Sequence, residues 1–476
     1  MDRPLWKRSA SELAALVGCG EVSALEVVDA HLERIAAVNP GVNAVTNVLA
    51  DSARRAAGET DRRRAAGDSL GPLAGVPFTI KENLDVAGSA TTNGVPALRD
   101  AVPPCDAPVV QRLREAGAIP IGRTNLPDLS LGLHTRSQLY GDTINPWDAS
   151  RTPGGSSGGD GVAVATGMAP LGLGNDAGGS VRIPASFGGV VGLKPSYGRF
   201  PGDRSVGPRD LTLSSQLIPV DGPLARTVTD LRLACHVLAG PDPRDPRVVP
   251  APLEGPPLPR PIRVALVADP GGLGVHPDVR AAIDLAASAL RDAGYLLEEV
   301  DVPKLSETID AYVRMIMTEF SLIWPMLERL LSADGRRHIA FSMALHGPVN
   351  LAEYVKLTAV RQGLLRDWSL FLDRYPLILG PVFTEPALPV AFETRGLDEF
   401  VRFETAVRLC RATSFVGVPA VAIPTHVASG LPQGVQVIAG FYREDLCFEA
   451  AAAIEARLGT FAPIEPCDAS ASQGEE

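Results

Sequence analysis

Paired cysteines, basic charge and long apolar runs are all scarce in this chain of 476 residues, and each scarcity removes a class of protein. Cys19, Cys105, Cys235, Cys410, Cys447 and Cys467 are scattered without a Cys-x-x-Cys pair. That excludes a zinc knuckle and a dense disulfide framework, and it reads as thiols kept in a reducing cytoplasm. The net charge is -11, and the one short basic run, Asp61 to Arg64, reads as a solvated helix face, so no field suited to a nucleic-acid backbone exists. No apolar run approaches the roughly 18 residues of a membrane span, and the first residues lack an apolar signal segment. A soluble, cytoplasmic protein is therefore expected. Lysine is rare too, limited to Lys7, Lys81, Lys194, Lys304 and Lys356, so a lysine inside an apolar segment stands out.

What is present is ordinary for a globular chain, with 45% hydrophobic and 21% charged residues, although 42 prolines imply many fixed turns. Ser23 and Glu26 form a capping box ahead of Leu25, Val28, Leu32 and Ile35 at helical spacing, and Pro40 is expected beyond the helix end. Short apolar runs then alternate with helical patterns: Gly75 to Ile80, a helix near Val109 to Ala116, then "AIPIGRTN". Such alternation predicts α/β layering. Nine prolines fall between Pro241 and Pro261, an extended surface connection. Because "IRVALVAD", a helix and "YLLEEVDVP" follow as one more βαβ unit, that connection interrupts one domain rather than separating two. Residues 306–372 read as helical.

Two glycine-rich loops carry the chemistry, "RTPGGSSGGDG" from Arg151 and "GNDAGGSVR" from Gly174. Neither holds the Gly-Lys-Ser/Thr of a phosphate loop. Unpaired N–H groups in such a turn can equally face an oxyanion. Ser180 lacks a G-x-S-x-G frame, and His134, His236 and His426 show no local pairing with a serine. Lys81 ends the apolar run "GVPFTIK". Alone, a lysine there is more often a snorkelling side chain than a buried amine with a depressed pKa.

Taken together and in order, "GVPFTIKENLDVAG", "RTPGGSSGGDG" and "LGLGNDAGGSVRIPASFGGVVGLKPSYGR" resemble the amidase signature family, and the similarity extends over nearly the whole chain. The resemblance implies an α/β fold: a single large domain over 1–465 with a central mixed sheet covered by helices on both faces, and a flexible tail at 466–476. It implies Ser180 as nucleophile, Ser156 as a bridging serine on a cis peptide, and Lys81 as the base. The N–H groups of Ala177, Gly178, Gly179 and Ser180 would face the oxyanion. Asp176 and Arg182 would pair across the turn, and Ser157 would join the lysine network. Asn175 stands where the family usually carries threonine, and its amide oxygen can accept from lysine. No metal or other cofactor is expected. The expected partner is a small-molecule amide, with no nucleic acid and no membrane, and a homodimer is compatible with this reading.

The activity implied is that of a stand-alone amidase releasing a carboxylic acid through a serine acyl-enzyme. One alternative is the glutaminase subunit of a tRNA-dependent amidotransferase, which usually reads Gly-Ser-Ile-Arg-Gln-Pro-Ala where this chain has Gly179 to Ala185 as Gly-Ser-Val-Arg-Ile-Pro-Ala. Another is an esterase or carbamate hydrolase on the same fold. Substrate choice is expected within about 305–372, where Met315, Met317, Phe320, Trp324, Met326, Phe341 and Met343 either line an apolar pocket or pack as plain core.

Overall fold

The strand-like runs assemble into one 11-stranded mixed sheet in a computed structural model that describes residues 3–203, 205–206 and 209–467. The strands are β1 (Val45–Val48), β2 (Pro77–Lys81), β3 (Ile119–Thr124), β4 (Leu171–Asp176), β5 (Val191–Lys194), β6 (Val220–Ala225), β7 (Arg263–Leu266), β8 (Leu296–Glu299), β9 (Leu377–Pro381), β10 (Ala420–Ala428) and β11 (Leu431–Ala439). Their order is β1-β3-β2-β4-β6-β5-β10-β11-β9-β7-β8. Parallel blocks β3-β2-β4 and β9-β7-β8 flank an antiparallel centre. The strands on either side of residues 241–261 therefore belong to the same sheet. The βαβ unit read after that segment is β7, helix Pro277–Asp292 and β8. From 468 onward the expected tail lies outside the described residues.

Both faces of the sheet are covered. Side chains alternate across a strand, and along β9 Leu377 and Leu379 enter one apolar cluster while Ile378 enters another, with all three buried. β10 and β11 divide in the same way, Val421 and Val437 facing one cluster and Ala420 and Ile438 the other. A strand buried on two sides must be apolar throughout, which is why β9 reads as a continuous run in the sequence.

The capping box at Ser23 and Glu26 is formed, and Val28, Leu32 and Ile35 are buried while Leu25 is exposed. The helix does not stop before Pro40: it runs Ala24–Val42, with Asn43 left-handed at its end and donating to Asn39 O at 2.7 Å. Pro40 lies in the last turn, so little helix follows the hydrogen bond it cannot make, and that turn buries Val38 and Val42.

Residues 306–372 fold as three helices, Leu305–Leu330, Ala333–His346 and Leu351–Arg374. Of the apolar side chains read as either pocket lining or plain core, Met315 and Met317 are core and Met326 is exposed. Phe341 packs on Phe400, with ring centroids 5.7 Å apart, in a different cluster. Phe320, Trp324 and Met343 are half-buried in the cluster that also contains Ala177.

Candidate active site

Parallel pairing of β2 with β4, in register at Thr79 with Gly172 and Ile80 with Leu173, brings the carboxyl ends of both strands to one edge of the sheet. Ligands of open α/β sheets gather at that edge. Lys81 is the last residue of β2, and Asn175 and Asp176 are the last two of β4. The Ala177-Gly178-Gly179-Ser180 turn follows and leads into helix Arg182–Gly188. The other glycine-rich loop precedes the fully buried helix Gly158–Ala165, and Ser157 N donates to Ser180 O at 3.1 Å, locking the two loops together.

Lys81 is fully buried, and its Nζ lies 2.7 Å from Ser156 Oγ and 2.7 Å from Asn175 Oδ1. The Gly155–Ser156 peptide is cis. Burial pushes the Lys81 ammonium down to about 7, partly opposed by Asp160, Asp176 and Asp221. The amine is thus buried and readily neutral, not snorkelling. Gly155 sits against the backbone of residues 132–133: a Cβ there would stand 2.5 Å from Leu133 O, so only glycine fits. In the other loop Gly179 has φ +121, and a Cβ would meet Ile183 Cδ1 at 2.7 Å.

Asp176 and Arg182 pair at 2.9 Å with no solvent exposure on either side chain. The carboxylate also accepts from Gly179 N at 2.8 Å and Val181 N at 3.2 Å. The guanidinium donates onward to Thr413 Oγ1, Ser414 Oγ, Gln436 Oε1 and Cys410 O. Burial alone would raise the Asp176 carboxyl, and the Arg182 charge outweighs it, holding the group below the usual carboxylate range.

One expectation needs correction. Gly179 N–H is committed to Asp176, so of the four turn groups it is not available to an oxyanion. Those of Ala177, Gly178 and Ser180 have no acceptor among the described residues. Ser157 joins the lysine network through Asn175 rather than Lys81 itself: its hydroxyl donates to Asn175 O at 3.3 Å, tying its loop to β4. The serine is fully buried and faces β4 at Gly174, where a Cβ would stand 2.5 Å from its Oγ.

Three neighbours carried no local signal. Tyr312, from helix Leu305–Leu330, donates to Ala177 O at 3.1 Å, and a Cβ on Gly178 would stand 2.8 Å from its hydroxyl oxygen. Asn83 accepts from Asn175 Nδ2 at 2.9 Å. Asp160, fully buried in the first turn of helix Gly158–Ala165, accepts from Thr79 Oγ1 at 3.0 Å. His134 contacts Thr152 Oγ1 and Asp142 Oδ1 instead of either loop serine. No cluster of three or more metal-ligating side chains forms among the described residues, and no described helix is long and apolar enough to cross a membrane.

The family model for amidases matches residues 26–448. An indoleacetamide hydrolase of Bradyrhizobium diazoefficiens is 42% identical over 96% of this chain and 88% of that protein. A glutamyl-tRNA(Gln) amidotransferase component of Salinispora tropica is 35% identical over 96% of this chain and 98% of that one. Among solved structures, a bacterial aryl acylamidase of the amidase signature family superposes with a TM-score of 0.83 at 26% identity, covering 95% of this chain and 97% of that one. With the buried lysine, the two interlocked glycine loops and this match along the chain, the protein belongs to the amidase signature family of enzymes that hydrolyse amide C–N bonds.

Proposed function

We propose that the chain hydrolyses a small primary carboxamide bearing an aryl or indolyl group, releasing the carboxylic acid and ammonia. The observation that carries the chemistry is the 2.7 Å contact between Lys81 Nζ and Ser156 Oγ beside the Ser180 turn. Ser180 Oγ attacks the amide carbon, Ser156 takes its proton and passes its own to neutral Lys81. The N–H groups of Ala177, Gly178 and Ser180 face the developing oxyanion. Ser156 then protonates the departing nitrogen, which leaves as ammonia. Water, deprotonated through the same pair, cleaves the acyl-enzyme and returns Ser180.

For the acyl group, support comes from the half-buried Leu129, Leu131, Leu217, Ile316 and Phe320, which pack in one apolar cluster with Ala177. An apolar wall beside the oxyanion turn suits a flat hydrophobic acyl group better than the charged side of glutamine. The indoleacetamide-hydrolysing relative agrees in substrate type. A domain spanning 1–465 and a cytoplasmic location complete the proposal, the latter supported by the thiols of Cys235, Cys410 and Cys447, all buried and outside any disulfide.

The test is turnover by the purified chain of indole-3-acetamide, phenylacetamide, acetanilide, L-glutamine and matched esters and carbamates. Preference for the arylacetamides is expected. Glutamine turnover appearing only with the other amidotransferase components and charged tRNA added would replace this reading with the transferase one, and ester preference with the esterase one.

A further inference from the structure

Lys81 Nζ donates to Asn175 Oδ1 at 2.7 Å, Asn175 Nδ2 donates to Asn83 Oδ1 at 2.9 Å, and Asn83 Nδ2 donates to Ser130 Oγ at 2.9 Å. These three links form one polar chain from the buried amine to the turn at Leu129 and Ser130, both left-handed, whose side chains are half-buried. The direction of the chain matters chemically. A neutral amine has one lone pair. If Asn175 turned its Nδ2 toward Lys81, that lone pair would accept from the amide and be lost to Ser156. With Oδ1 toward Lys81, the amine spends an N–H there and keeps the lone pair for the Ser156 hydroxyl. A threonine hydroxyl at 175 could rotate to suit either state, whereas a carboxamide must be turned correctly by something else.

We propose that Asn83 is the positioning residue that sets this polarity: its Oδ1 holds Asn175 Nδ2, which presents Asn175 Oδ1 to Lys81 and leaves the lysine lone pair for Ser156. Asn83 ends on Ser130, whose hydroxyl can serve as acceptor here and still send its own hydrogen elsewhere. Asn83 acts through Asn175 and touches no reacting atom. The proposal rests on Lys81 being the base, which Lys81→Ala tests separately. Loss of that reading would show as activity retained in Lys81→Ala, independently of anything done at Asn83.

The experiment is a double-mutant cycle on phenylacetamide hydrolysis, with pH profiles. Asn83→Ala is expected to lower kcat roughly tenfold with KM little changed, because only the poise of the base is altered. In an Asn175→Thr background, where a hydroxyl orients itself, the same change is expected to cost roughly twofold or less. Asn83→Asp keeps the acceptor and adds a negative charge to the field of Asp160, Asp176 and Asp221 that already favours the Lys81 ammonium. Its acid limb in kcat/KM should move to higher pH. The aspartate is nearly isosteric, so it carries the test if the alanine variant fails to fold by circular dichroism. Equal losses from Asn83→Ala in both backgrounds, or a plateau kcat lowered roughly tenfold in Asn83→Asp although it keeps the acceptor, would overturn the proposal.

Discussion

The carboxylate of Asp176 and the guanidinium of Arg182, six positions apart across the glycine turn, pair at 2.9 Å with neither side chain exposed. Asp176 also takes the N–H groups of Gly179 and Val181, so one ion pair fixes the conformation of the turn that carries Ser180. Removing either partner leaves the other as an uncompensated buried charge, a loss of about 3–5 kcal/mol. Arg182→Ala should therefore lower the unfolding free energy by about that amount, measured by urea titration. A loss within the usual surface range of about 0.5 kcal/mol would show that the pair does not hold the turn.

The same pair gives a stability dependence on pH. Burial would raise the Asp176 carboxyl, yet the Arg182 charge holds it below its ordinary value in the folded state. A depressed folded pKa adds stability that is complete above the ordinary carboxylate range and is lost as pH falls through that range toward the folded value. Asp176→Asn should flatten the fall in stability at acid pH. Denaturant titrations at neutral and acid pH, beside the parent, check this, and parallel slopes would remove the assignment.

Lys81 should govern the acid limb of kcat/KM, because burial brings its ammonium down to about 7. Lys81→Ala should lose at least roughly a hundredfold in amide turnover, and so should Lys81→Arg, whose guanidinium stays charged in this range. Turnover across pH, with circular dichroism to check folding, decides it. An arginine variant near the parent rate would exclude lysine as the base.

Much of this site was legible because its signals are local. Alone, a lysine closing an apolar run reads as snorkelling, and the Gly-Gly loops leave phosphate and oxyanion open. The three short segments in order carry the resemblance that assigns Lys81, Ser156 and Ser180. The strands around them follow from apolar runs too short for helices. What stayed hidden depends on the third dimension. That Gly179 N–H turns inward to Asp176, and that Ser157 bonds Asn175 O instead of Lys81, follows from the path of the turn and not from composition. Tyr312 comes from a helix 135 residues beyond Ala177 and reads there as one more core aromatic. The methionine-rich stretch divided between core and surface because helix faces in a three-helix layer are assigned by their neighbours, which the sequence pattern does not name.

Tyr312 pins the turn from the helical layer through its hydroxyl on Ala177 O, while its ring packs edge-on against Phe415 at 6.2 Å. Tyr312→Phe keeps the ring and deletes the hydrogen bond. The expected result is a stability loss near 1 kcal/mol and a drop in kcat with KM nearly unchanged, because the turn that presents the free N–H groups is loosened. A rise in KM alone would instead make the hydroxyl a substrate contact.

Ser156 separates amides from esters. An amide nitrogen must be protonated to leave, whereas a nitrophenolate leaves unaided. Ser156→Ala should therefore reduce hydrolysis of phenylacetamide far more than that of p-nitrophenyl phenylacetate, with the ratio changing by roughly tenfold or more. The matched pair carries the same acyl group, so binding differences cancel. Equal losses would leave Ser156 without a proton-transfer role and return the 2.7 Å contact with Lys81 Nζ to a structural one.

Asp160 offers a test of what tunes the amine. Thr79 and Lys81 lie two residues apart on β2 and so point to the same face, where Thr79 Oγ1 donates to Asp160 Oδ1 at 3.0 Å. Burial pushes the group upward from its ordinary range, opposed by the Thr124 and Thr79 hydroxyls and by the Lys81 charge. Asp160 leads the charges that favour the protonated form of Lys81. Asp160→Asn keeps the shape and the acceptor for Thr79 while removing that negative charge. The ammonium of Lys81 then loses a stabilising neighbour, its pKa falls further, and the neutral base persists to lower pH. The acid limb of kcat/KM should move down by roughly one unit with the plateau retained. An unmoved limb would mean that Asp160 keeps its own proton throughout, leaving burial opposed by Asp176 and Asp221 to tune the lysine. A limb moved to higher pH would contradict the charge assignment itself.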